Sequence, residues 1–568
     1  MEQNLDRNFS WRSLVYAILY FCYFSCALQL YIALSGHANF IGLRDSIIYS
    51  MIWLVPILFF PNITKKFATI YGIIVGGLSL ISIGYFTIYR QEFSQSVFFV
   101  MAESNYNESH EFISQYLSIK LVAVLLIYIL VGVFLWFKVK PVYVKNMTKW
   151  LVSIIIVVYA LMPLFISVAI KKTSFERATQ HLLSRMETTV PWQLLSSYIA
   201  YRSQLSNMDK ILNHLETLPK FENLTDANGN TPRTLVLVIG ESTTRSRMGI
   251  YGYDRDTTPL IEQFKKDNPD FLAFNDVVSS RPYTIEILQQ ALTLADEKHP
   301  DLYLSKPSLI HLMKQAGYKT FWITNQQTMT KRNTMLTMFS KQADEQFYMN
   351  NDRNQSSRQY DSSVFEPFKN VLNYPAEKKF IVIHLLGTHM KYELRYPEGE
   401  EYQRFKDKTG VNFNLDNDKL KVYNSYDNAV AFNDFVTTEL FKLFKNSDPN
   451  GFILYFSDHG EEVYQTAPHD VLGRNEKAPT RAMYTVPFML WQSPKWLVSH
   501  PNNHFESYVN RKFSTQDLIH TWSDLAGLSF DDYQPEKSIV NEKFAQPTRW
   551  IGDPHGKEGL TDFDQLAK

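Results

Sequence analysis

Hydrophobic residues are distributed unevenly along this chain. Up to about residue 172 they form long runs with few charges, whereas the remainder has the mixed composition of a soluble protein. A helix needs roughly 20 apolar residues to cross the hydrocarbon core of a bilayer. The pattern therefore predicts a transmembrane domain over residues 1–172, with five spans near 12–34, 46–60, 67–89, 118–138 and 150–170. The first run is long and is followed by further spans, so it predicts an uncleaved anchor rather than a signal peptide.

Basic residues mark one side of this five-span arrangement. They lie before the first span, after the second span, and between the fourth and fifth spans: Arg7, Arg12, Lys65, Lys66, Lys138, Lys140, Lys145 and Lys149. Short segments rich in lysine and arginine stay in the cytoplasm. We therefore expect a cytoplasmic N-terminus and a large C-terminal part on the outer side of the membrane.

From about residue 223 onward, short apolar runs of strand type alternate with helical patterns. Such alternation is typical of a largely parallel sheet covered by helices on both faces. We expect an α/β/α sandwich over residues 223–568, joined to the spans through 173–222 by bridging or interfacial helices, or by a plain linker. The clearest strand-like runs are 234–239, 319–324, 380–385, 452–456 and 486–491.

Composition adds two limits. The formal net charge is zero, which gives no indication of a nucleic-acid partner. Both cysteines, Cys22 and Cys26, fall within the first apolar run, so the C-terminal part contains no disulfide. The cysteine content therefore does not indicate whether that part lies in an oxidising or a reducing compartment.

Candidate chemistry is concentrated where strand-like runs end. Glu241 follows the run 234–239, and Asp458 and His459 follow the run 452–456. Open α/β sheets bind their ligands at the carboxyl ends of strands. Two carboxylates and an imidazole at that edge are candidate ligands for a single metal ion.

Thr284 stands at the head of an apolar-periodic helix, after a polar turn. A helix N-terminus carries unpaired N–H groups and a positive dipole end, which favour a nucleophilic oxygen and its phosphorylated form. The alternative is an ordinary N-cap threonine. With Glu241, Asp458 and His459, the Thr284 oxygen would complete a tetrahedral zinc site and take the exchangeable position.

Other polar residues are candidates for contact with substrate. His389 ends a strand-like run and His469 lies on a later loop. Either histidine could donate to a phosphoryl oxygen, protonate a leaving alkoxide, or bind a second metal ion. Asn325 follows the run 319–324 at the same predicted edge. Three arginines are candidate phosphate clamps, although most arginines lie on the surface: Arg281, Arg474 and Arg481.

Three stretches carry a resemblance to a known family: 238–243 (Val-Ile-Gly-Glu-Ser-Thr), 281–292, and 384–389 (His-Leu-Leu-Gly-Thr-His). The chain resembles the phosphoethanolamine transferases of Gram-negative inner membranes, within the alkaline phosphatase superfamily that also contains arylsulfatases. The likeness covers nearly the whole chain. Within that family it points to the member that modifies the heptose of the lipopolysaccharide core.

The resemblance implies roles for individual residues. Thr284 would be the nucleophile that the donor lipid phosphorylates, held on zinc with Glu241, Asp458 and His459 as ligands. One zinc ion is expected, and a second is left open. His389 and His469 correspond to the two histidines near the phosphoryl group. Some relatives carry several periplasmic disulfides, which this chain lacks in its C-terminal part.

The segment between the third and fourth spans mixes apolar residues with several acidic and polar ones. It could be an interfacial amphipathic helix with a solvated acidic face. Alternatively it clamps the ammonium of an ethanolamine lipid, and the resemblance then implies Ser104 and Glu108 as substrate contacts.

These observations predict a transferase of the inner membrane with its catalytic domain in the periplasm. It would move phosphoethanolamine from phosphatidylethanolamine to lipopolysaccharide through a covalent intermediate on Thr284. One alternative is a related membrane phosphodiesterase or phosphoglycerol transferase that acts on another headgroup. Another is a non-catalytic, membrane-anchored sensor of phosphorylated sugars. A sulfatase is disfavoured, because that family makes its nucleophile from a Cys or Ser in a Cys/Ser-x-Pro-x-Arg stretch, and no cysteine lies in the C-terminal part of this chain.

Overall fold

The computed structural model describes residues 9–35, 40–89, 113, 116–170, 175–213, 219–326, 335–350, 359–476, 478–554 and 559–567. The chain divides into two compact units, one of residues 1–104 and 113–204 and one of residues 105–112 and 205–568. The predicted headgroup contacts Ser104 and Glu108 lie outside the described residues. The domain boundaries near 172 and 222 stay predictions.

Helices build the first unit. Five stretches are long and apolar enough to cross a membrane, namely Trp11–Leu34, Ile41–Phe59, Pro61–Ile88, Ile119–Lys138 and Asn146–Ala169. The predicted five-helix membrane domain is thereby confirmed. The helices are α1 Trp11–Leu34, α2 Ile41–Ser50, α3 Leu54–Phe59, α4 Thr64–Tyr89, α5 Ile119–Lys138, α6 Asn146–Phe165, α7 Phe175–Met186 and α8 Val190–Asn213.

The second span begins earlier than residue 46, where the apolar pattern starts. Arg44 and Asp45 lower the local hydrophobicity, yet both belong to α2. Asp45 is 1% exposed and accepts from Nε of Arg185, on α7, at 2.9 Å. Because charges among membrane helices persist when they are paired, this ion pair explains how the helix can include them.

Tyrosines join the helices inside the first unit. The Tyr20 hydroxyl of α1 donates to the carbonyl oxygen of Ala68 on α4 at 2.7 Å. The Tyr71 hydroxyl of α4 donates back to the carbonyl oxygen of Phe21 at 2.7 Å. Both rings are buried, so each hydroxyl needs a protein partner. These reciprocal hydrogen bonds connect α1 and α4 where packing between apolar surfaces alone would give little specificity.

A seven-stranded sheet forms the centre of the second unit. Its strands lie in the order β3 (Phe271–Ala273), β11 (Phe488–Gln492), β8 (Gly451–Ser457), β2 (Arg233–Gly240), β7 (Lys378–His384), β5 (Lys319–Thr324) and β6 (Glu345–Tyr348). Within it only β11 runs against its neighbours, since it pairs antiparallel with both β3 and β8. The largely parallel sheet is thereby confirmed. The strands of this unit are β1 Thr225–Asp226, β2 Arg233–Gly240, β3 Phe271–Ala273, β4 Val277–Val278, β5 Lys319–Thr324, β6 Glu345–Tyr348, β7 Lys378–His384, β8 Gly451–Ser457, β9 Glu462–Val463, β10 Leu472–Gly473, β11 Phe488–Gln492, β12 Phe513–Ser514, β13 Leu528–Ser529, β14 Trp550–Ile551 and β15 Thr561–Asp562.

Helices cover both faces of this sheet, which is why β2 and β8 are buried along their whole lengths. Asp434, on the long helix α14 (Asn417–Asn446), accepts from the backbone N–H groups of Leu260 and Ile261, in α9 (Pro259–Asp267), at 2.9 and 3.0 Å. This carboxylate caps the start of α9 and joins the two helices. The helices are α9 Pro259–Asp267, α10 Thr284–Ala291, α11 Leu309–Gln315, α12 Met335–Ser340, α13 Phe365–Leu372, α14 Asn417–Asn446, α15 Pro494–Ser499 and α16 Leu518–Leu525.

The register of the three central strands brings their carboxyl ends to one edge. Ile239 of β2 lies opposite His384 of β7, and Gly240 lies opposite Ser457 of β8. Because these strands are parallel, the chain leaves all three on the same side of the sheet. Polar residues that follow β2, β7 and β8 are therefore neighbours in space.

A buried ion network secures the segment after β2. Arg247 and Arg255 both pair with Asp427 of α14, at 2.6 and 2.8 Å. All three side chains are at most 3% exposed. The network ties the loop that follows β2 to the long helix.

We expect Asp427→Asn to destabilise the protein, because it leaves two buried guanidinium groups without a carboxylate. Removing one partner from a buried ion pair costs roughly 3–5 kcal/mol. The midpoint of thermal unfolding of the purified full chain, followed by tryptophan fluorescence, should fall clearly. Asp256→Asn is the matched control, because Asp256 is 67% exposed and pairs with Arg404 at the surface. Equal shifts for the two variants would contradict this account.

Candidate metal centre and nucleophile

Three side chains from two neighbouring strands converge at the carboxyl edge of the sheet. Glu241 follows β2, and Asp458 and His459 follow β8. Their ligand atoms all lie within 4.8 Å of one another, and all three residues are buried. Two carboxylate oxygens and one imidazole nitrogen at this spacing are able to hold a single metal ion.

The tautomer of His459 suits a metal ligand. Its Nδ1 atom lies 2.9 Å from the carbonyl oxygen of Gly460. Since a carbonyl only accepts, Nδ1 carries a hydrogen. Nε2 lies 2.9 Å from Nη1 of Arg474, which can only donate, so Nε2 presents a lone pair. Nε2 is 3.3 Å from Oε1 of Glu241 and 3.3 Å from Oδ2 of Asp458. A backbone acceptor on the far nitrogen is the usual way in which a metal-binding histidine is oriented.

The two oxygens of Asp458 have different surroundings. Oδ1 accepts from the backbone N–H groups of Ser242 and His459, at 3.0 and 2.7 Å. Oδ2 is buried and has no hydrogen-bond donor among the residues that the structure describes. A buried oxygen without a partner is costly, and a metal ion would supply one. The residues present therefore fit a metal.

Electrostatics also favour a cation at this point. Burial, together with the neighbouring Glu241 carboxylate, raises the pKa of Asp458. Two carboxylates in a buried site repel each other when both are ionised. A divalent ion between them would offset that repulsion.

Thr284 joins the same cluster. Its Oγ1 atom donates to Oε2 of Glu241 at 2.9 Å and lies 3.4 Å from Nε2 of His459. The N-cap of α10 is Tyr283, so Thr284 is the first helical residue. The hydroxyl thus points at a candidate metal ligand and does not cap its own helix. Thr284 is therefore not the N-cap residue of α10, and its role as nucleophile stays a prediction.

Ser242 is a site residue that the sequence alone did not single out. It adopts a left-handed φ of 57°, which is costly for a residue with a side chain. In this conformation its backbone N–H donates to Asp458 and its hydroxyl donates to Oε1 of Glu241 at 2.8 Å. One strained residue thereby holds ligands from two strands. The local sequence does not predict this left-handed conformation, because serine is common in loops of every kind.

The loop after β7 packs directly on Glu241. The backbone N–H of Thr388 donates to the carbonyl oxygen of Glu241 at 3.0 Å. Asp361 accepts from the backbone N–H groups of Leu386 and Gly387, at 2.8 and 2.7 Å. A Cβ on Gly387 would lie 2.5 Å from the same Glu241 carbonyl oxygen, and its φ is +56°. Only glycine allows this close approach without displacement.

His389 and His469 both have Nδ1 directed at a backbone carbonyl. His389 Nδ1 lies 2.7 Å from the oxygen of Met390, and His469 Nδ1 lies 2.9 Å from that of Tyr464. In each ring Nδ1 therefore carries a hydrogen. Burial lowers the pKa of His389 to about 4, which keeps it neutral. The three-ligand cluster found among the described residues includes neither histidine, and their catalytic roles stay predictions.

Asn325 is fully buried beneath the loop that follows β7. Its Nδ2 atom donates to Oδ1 of Asp361 at 2.8 Å. Its predicted contact with substrate stays a prediction. The next residue, Gln326, donates to the carbonyl oxygen of Leu385 at 2.7 Å and lies 3.5 Å from Oε2 of Glu241. Its position just after the carboxyl end of β5 is the sequence feature from which Gln326 could have been predicted as a site residue.

The three candidate arginines have different surroundings. Arg281 pairs with Glu476 at 2.7 Å, and Arg481 donates to backbone carbonyls of the C-terminal segment. Nη1 of Arg474 reaches Nε2 of His459 at 2.9 Å. Among the three, the contacts described place only Arg474 at the candidate metal centre.

Known proteins are similar to this chain over most of its length. Residues 233–528 match the sulfatase family. Over 561 residues the chain is 53% identical to phosphoethanolamine transferase EptC of Escherichia coli (strain K12), covering 98% of this chain and 96% of that protein. The chain belongs to the phosphoethanolamine transferase family. The resemblance found in the sequence motifs is thereby confirmed.

Two solved structures from this family extend the comparison. The C-terminal periplasmic domain of EptC from Escherichia coli, crystallised in complex with Zn, is 60% identical with a TM-score of 0.60, covering 61% of this chain and 97% of that one. The integral membrane protein EptA from Neisseria meningitidis is 18% identical with a TM-score of 0.66, covering 93% of this chain and 98% of that one. At that identity EptA shows the shared fold, in which helices that can span a membrane precede a sulfatase-like domain.

We expect Gly387→Ala to weaken metal binding about tenfold or more, because the new Cβ would displace the backbone of Glu241. Losses of this size follow when the outer partners of a metal ligand are disturbed. Bound zinc per chain, measured by plasma mass spectrometry after dialysis, checks this. Gly229→Ala is the matched control, because Gly229 has φ +54° but no heavy atom within 4 Å of the position that a Cβ would take. Equal metal loss in both variants would assign the effect to backbone strain instead.

Proposed function

We propose that this chain transfers phosphoethanolamine from phosphatidylethanolamine to lipopolysaccharide, with a core heptose as acceptor. The observation that carries the proposal is the Thr284 hydroxyl, which donates to Glu241 beside Asp458 and His459. This arrangement provides a nucleophile next to a metal site, in a chain whose relative EptC is named a phosphoethanolamine transferase. A covalent phosphoethanolamine-threonine intermediate is the chemistry that such a pairing supports best.

The proposed metal is zinc, because the ligand set is two carboxylates and one imidazole and the related EptC domain was crystallised with Zn. Glu241, Asp458 and His459 would hold the ion, with the Thr284 oxygen in the fourth position. When bound, zinc supplies positive charge that lowers the pKa of a hydroxyl and offsets charge developing on phosphorus. One ion is proposed. Binding of a second ion by His389 and His469 is the alternative.

In the first half-reaction, phosphoethanolamine moves from the donor lipid to Thr284. The Thr284 oxygen forms a bond to phosphorus, and the bond from phosphorus to the diacylglycerol oxygen breaks. The Thr284 proton passes to Oε2 of Glu241, its acceptor at 2.9 Å, and ends on the departing diacylglycerol oxygen.

In the second half-reaction, Thr284 is the leaving group and the acceptor sugar is the nucleophile. A sugar hydroxyl of the acceptor bonds to phosphorus, and the bond between phosphorus and Thr284 breaks. We assign His389 to accept the proton of that hydroxyl, because Nδ1 of its ring faces a carbonyl oxygen and Nε2 is the atom left to accept. The proton then returns to the Thr284 oxygen. His469 is proposed to contact the phosphoryl group.

The proposed location is the inner membrane, with several spans, a cytoplasmic N-terminus and the second unit in the periplasm. Five membrane-length helices and the positions of lysine and arginine support it. Donor and acceptor both reside in a lipid leaflet, so an enzyme anchored in the bilayer can meet each in turn. Ser104, Glu108 and Asn325 are proposed to help bind these substrates.

Thr284→Ala should abolish the covalent adduct, because no oxygen remains to attack phosphorus. The test incubates zinc-loaded protein with phosphatidylethanolamine and no acceptor, followed by intact and peptide mass spectrometry. Wild type should carry phosphoethanolamine on Thr284, and Thr284→Ser, which keeps a hydroxyl, should retain some adduct. If the lipid is cleaved while the protein stays unmodified, direct hydrolysis replaces this mechanism. If neither changes, the donor or the enzyme assignment is wrong, and a binding protein for phosphorylated sugars becomes the better account.

Asp458→Asn should lower zinc affinity by about tenfold or more, since it removes the negative charge from one of the three ligands. Competition with a chromophoric chelator measures this without any substrate. Asp434→Asn is the control, because it also alters a buried carboxylate but one that caps α9. Unchanged zinc affinity in Asp458→Asn would remove that residue from the ligand set.

A further inference from the structure

Arg474 is a largely buried cation beside the proposed nucleophile. It follows strand β10, and its side chain is 12% exposed. Its Nη1 atom donates to Nε2 of His459 at 2.9 Å, and the Thr284 oxygen lies 3.4 Å from the same nitrogen. The guanidinium also lies 5.9 Å from the ring centre of Tyr283, the residue before Thr284. The arginine and the nucleophile therefore share a neighbouring atom.

A chain of buried contacts holds this arginine in place. Its Nε atom is 3.5 Å from Oε2 of Glu461, which is 1% exposed. Oε1 of Glu461 accepts from the hydroxyl of Tyr392 at 3.2 Å. The Tyr392 ring packs edge-on against Tyr426 at 4.9 Å, and the Tyr426 hydroxyl donates to the carbonyl oxygen of Ser242 at 2.8 Å. The partner of Arg474 is thus connected to the loop that carries Glu241.

The contact between Arg474 and His459 is incompatible with metal binding by His459. Nδ1 of His459 carries the hydrogen, so Nε2 has one lone pair. That lone pair can accept from Arg474 or bind a metal ion, but not both. When a metal takes it, the Nη1 hydrogen must turn to another acceptor, while Glu461 keeps the guanidinium nearby. A phosphoryl group attached to Thr284 would offer such acceptors in its non-bridging oxygens.

We propose that Arg474 has two partners in turn. Its donation to Nε2 of His459 competes with metal binding by that atom. In the metal-loaded protein it donates to a non-bridging oxygen of the phosphoryl group that Thr284 carries, as a catalytic residue. The second half rests on the proposed function, whereas the first half concerns metal binding alone.

The competition predicts a gain in zinc affinity when Arg474 is changed. Arg474→Met removes both the donor and the charge, and zinc should bind about threefold to tenfold tighter, the equivalent of one net hydrogen bond. Arg474→Lys keeps a positive charge for Glu461 and guards against misfolding, and its shorter side chain should also release His459. Chelator competition on the full chain in detergent, without lipid, measures both variants. Affinity equal to or weaker than wild type in both variants would overturn the competition.

The phosphoryl contact predicts a loss of rate. Removing one donor to a developing oxyanion costs on the order of a hundredfold. With zinc saturating, Arg474→Lys should form the Thr284 adduct from phosphatidylethanolamine about a hundredfold more slowly than wild type, measured by quenched-flow mass spectrometry. Arg511→Lys is the control, because Arg511 donates to backbone carbonyls of Ile539 and Asn541 and has no described contact with the centre.

The outcomes separate the two ideas. If wild type forms the adduct and Arg474→Lys forms it at the same rate, the phosphoryl contact is wrong and the proposed function stands. If wild type forms no adduct, the proposed function and the phosphoryl contact both fall. In that case the zinc titration still decides the competition.

Discussion

Two carboxylates buried side by side impose the central constraint on this structure. Glu241 and Asp458 have ligand atoms within 4.8 Å of each other and of His459, in the protein interior. Repulsion between ionised carboxylates and the cost of burying them must be offset. Backbone N–H groups offset part of it for Oδ1 of Asp458. Oδ2 receives no donor from the described residues, and this leaves a position that a divalent ion fits.

Much of the surrounding structure can be understood as support for that pair. Ser242 accepts a strained backbone conformation and binds both carboxylates. Gly387 brings a second loop against the backbone of Glu241, and Asp361 holds that loop by accepting from the backbone N–H of Gly387. Arg474 contributes a positive charge that contacts His459 directly. A site of this kind requires precise support, because small displacements of a metal ligand or nucleophile lower affinity and rate.

The first unit satisfies its buried polar groups by other means. Tyr20 and Tyr71 exchange hydrogen bonds with backbone carbonyls of neighbouring helices, and Asp45 pairs with Arg185. Unpaired polar groups are costly in hydrocarbon, so each becomes a specific contact between helices. An anchored unit of this kind suits the proposed chemistry, since both proposed substrates are lipids.

The sequence by itself determined the five spans, the largely parallel sheet and the neighbourhood of Glu241, Asp458, His459 and Thr284. Apolar length, local periodicity and the rule that parallel strands end at one edge are properties of short segments, so they can be found without coordinates. Tertiary structure decided what depends on residues far apart in the chain. An apolar run carries no direction, so the antiparallel course of β11 was invisible. The pattern placed the second span too late, because the partner of Asp45 lies on α7. Three arginines were equivalent candidates until the fold placed Arg474 against His459 and gave Arg281 and Arg481 other partners. The physical reason is that a side chain's role is set by its spatial neighbours, which only the folded chain brings together.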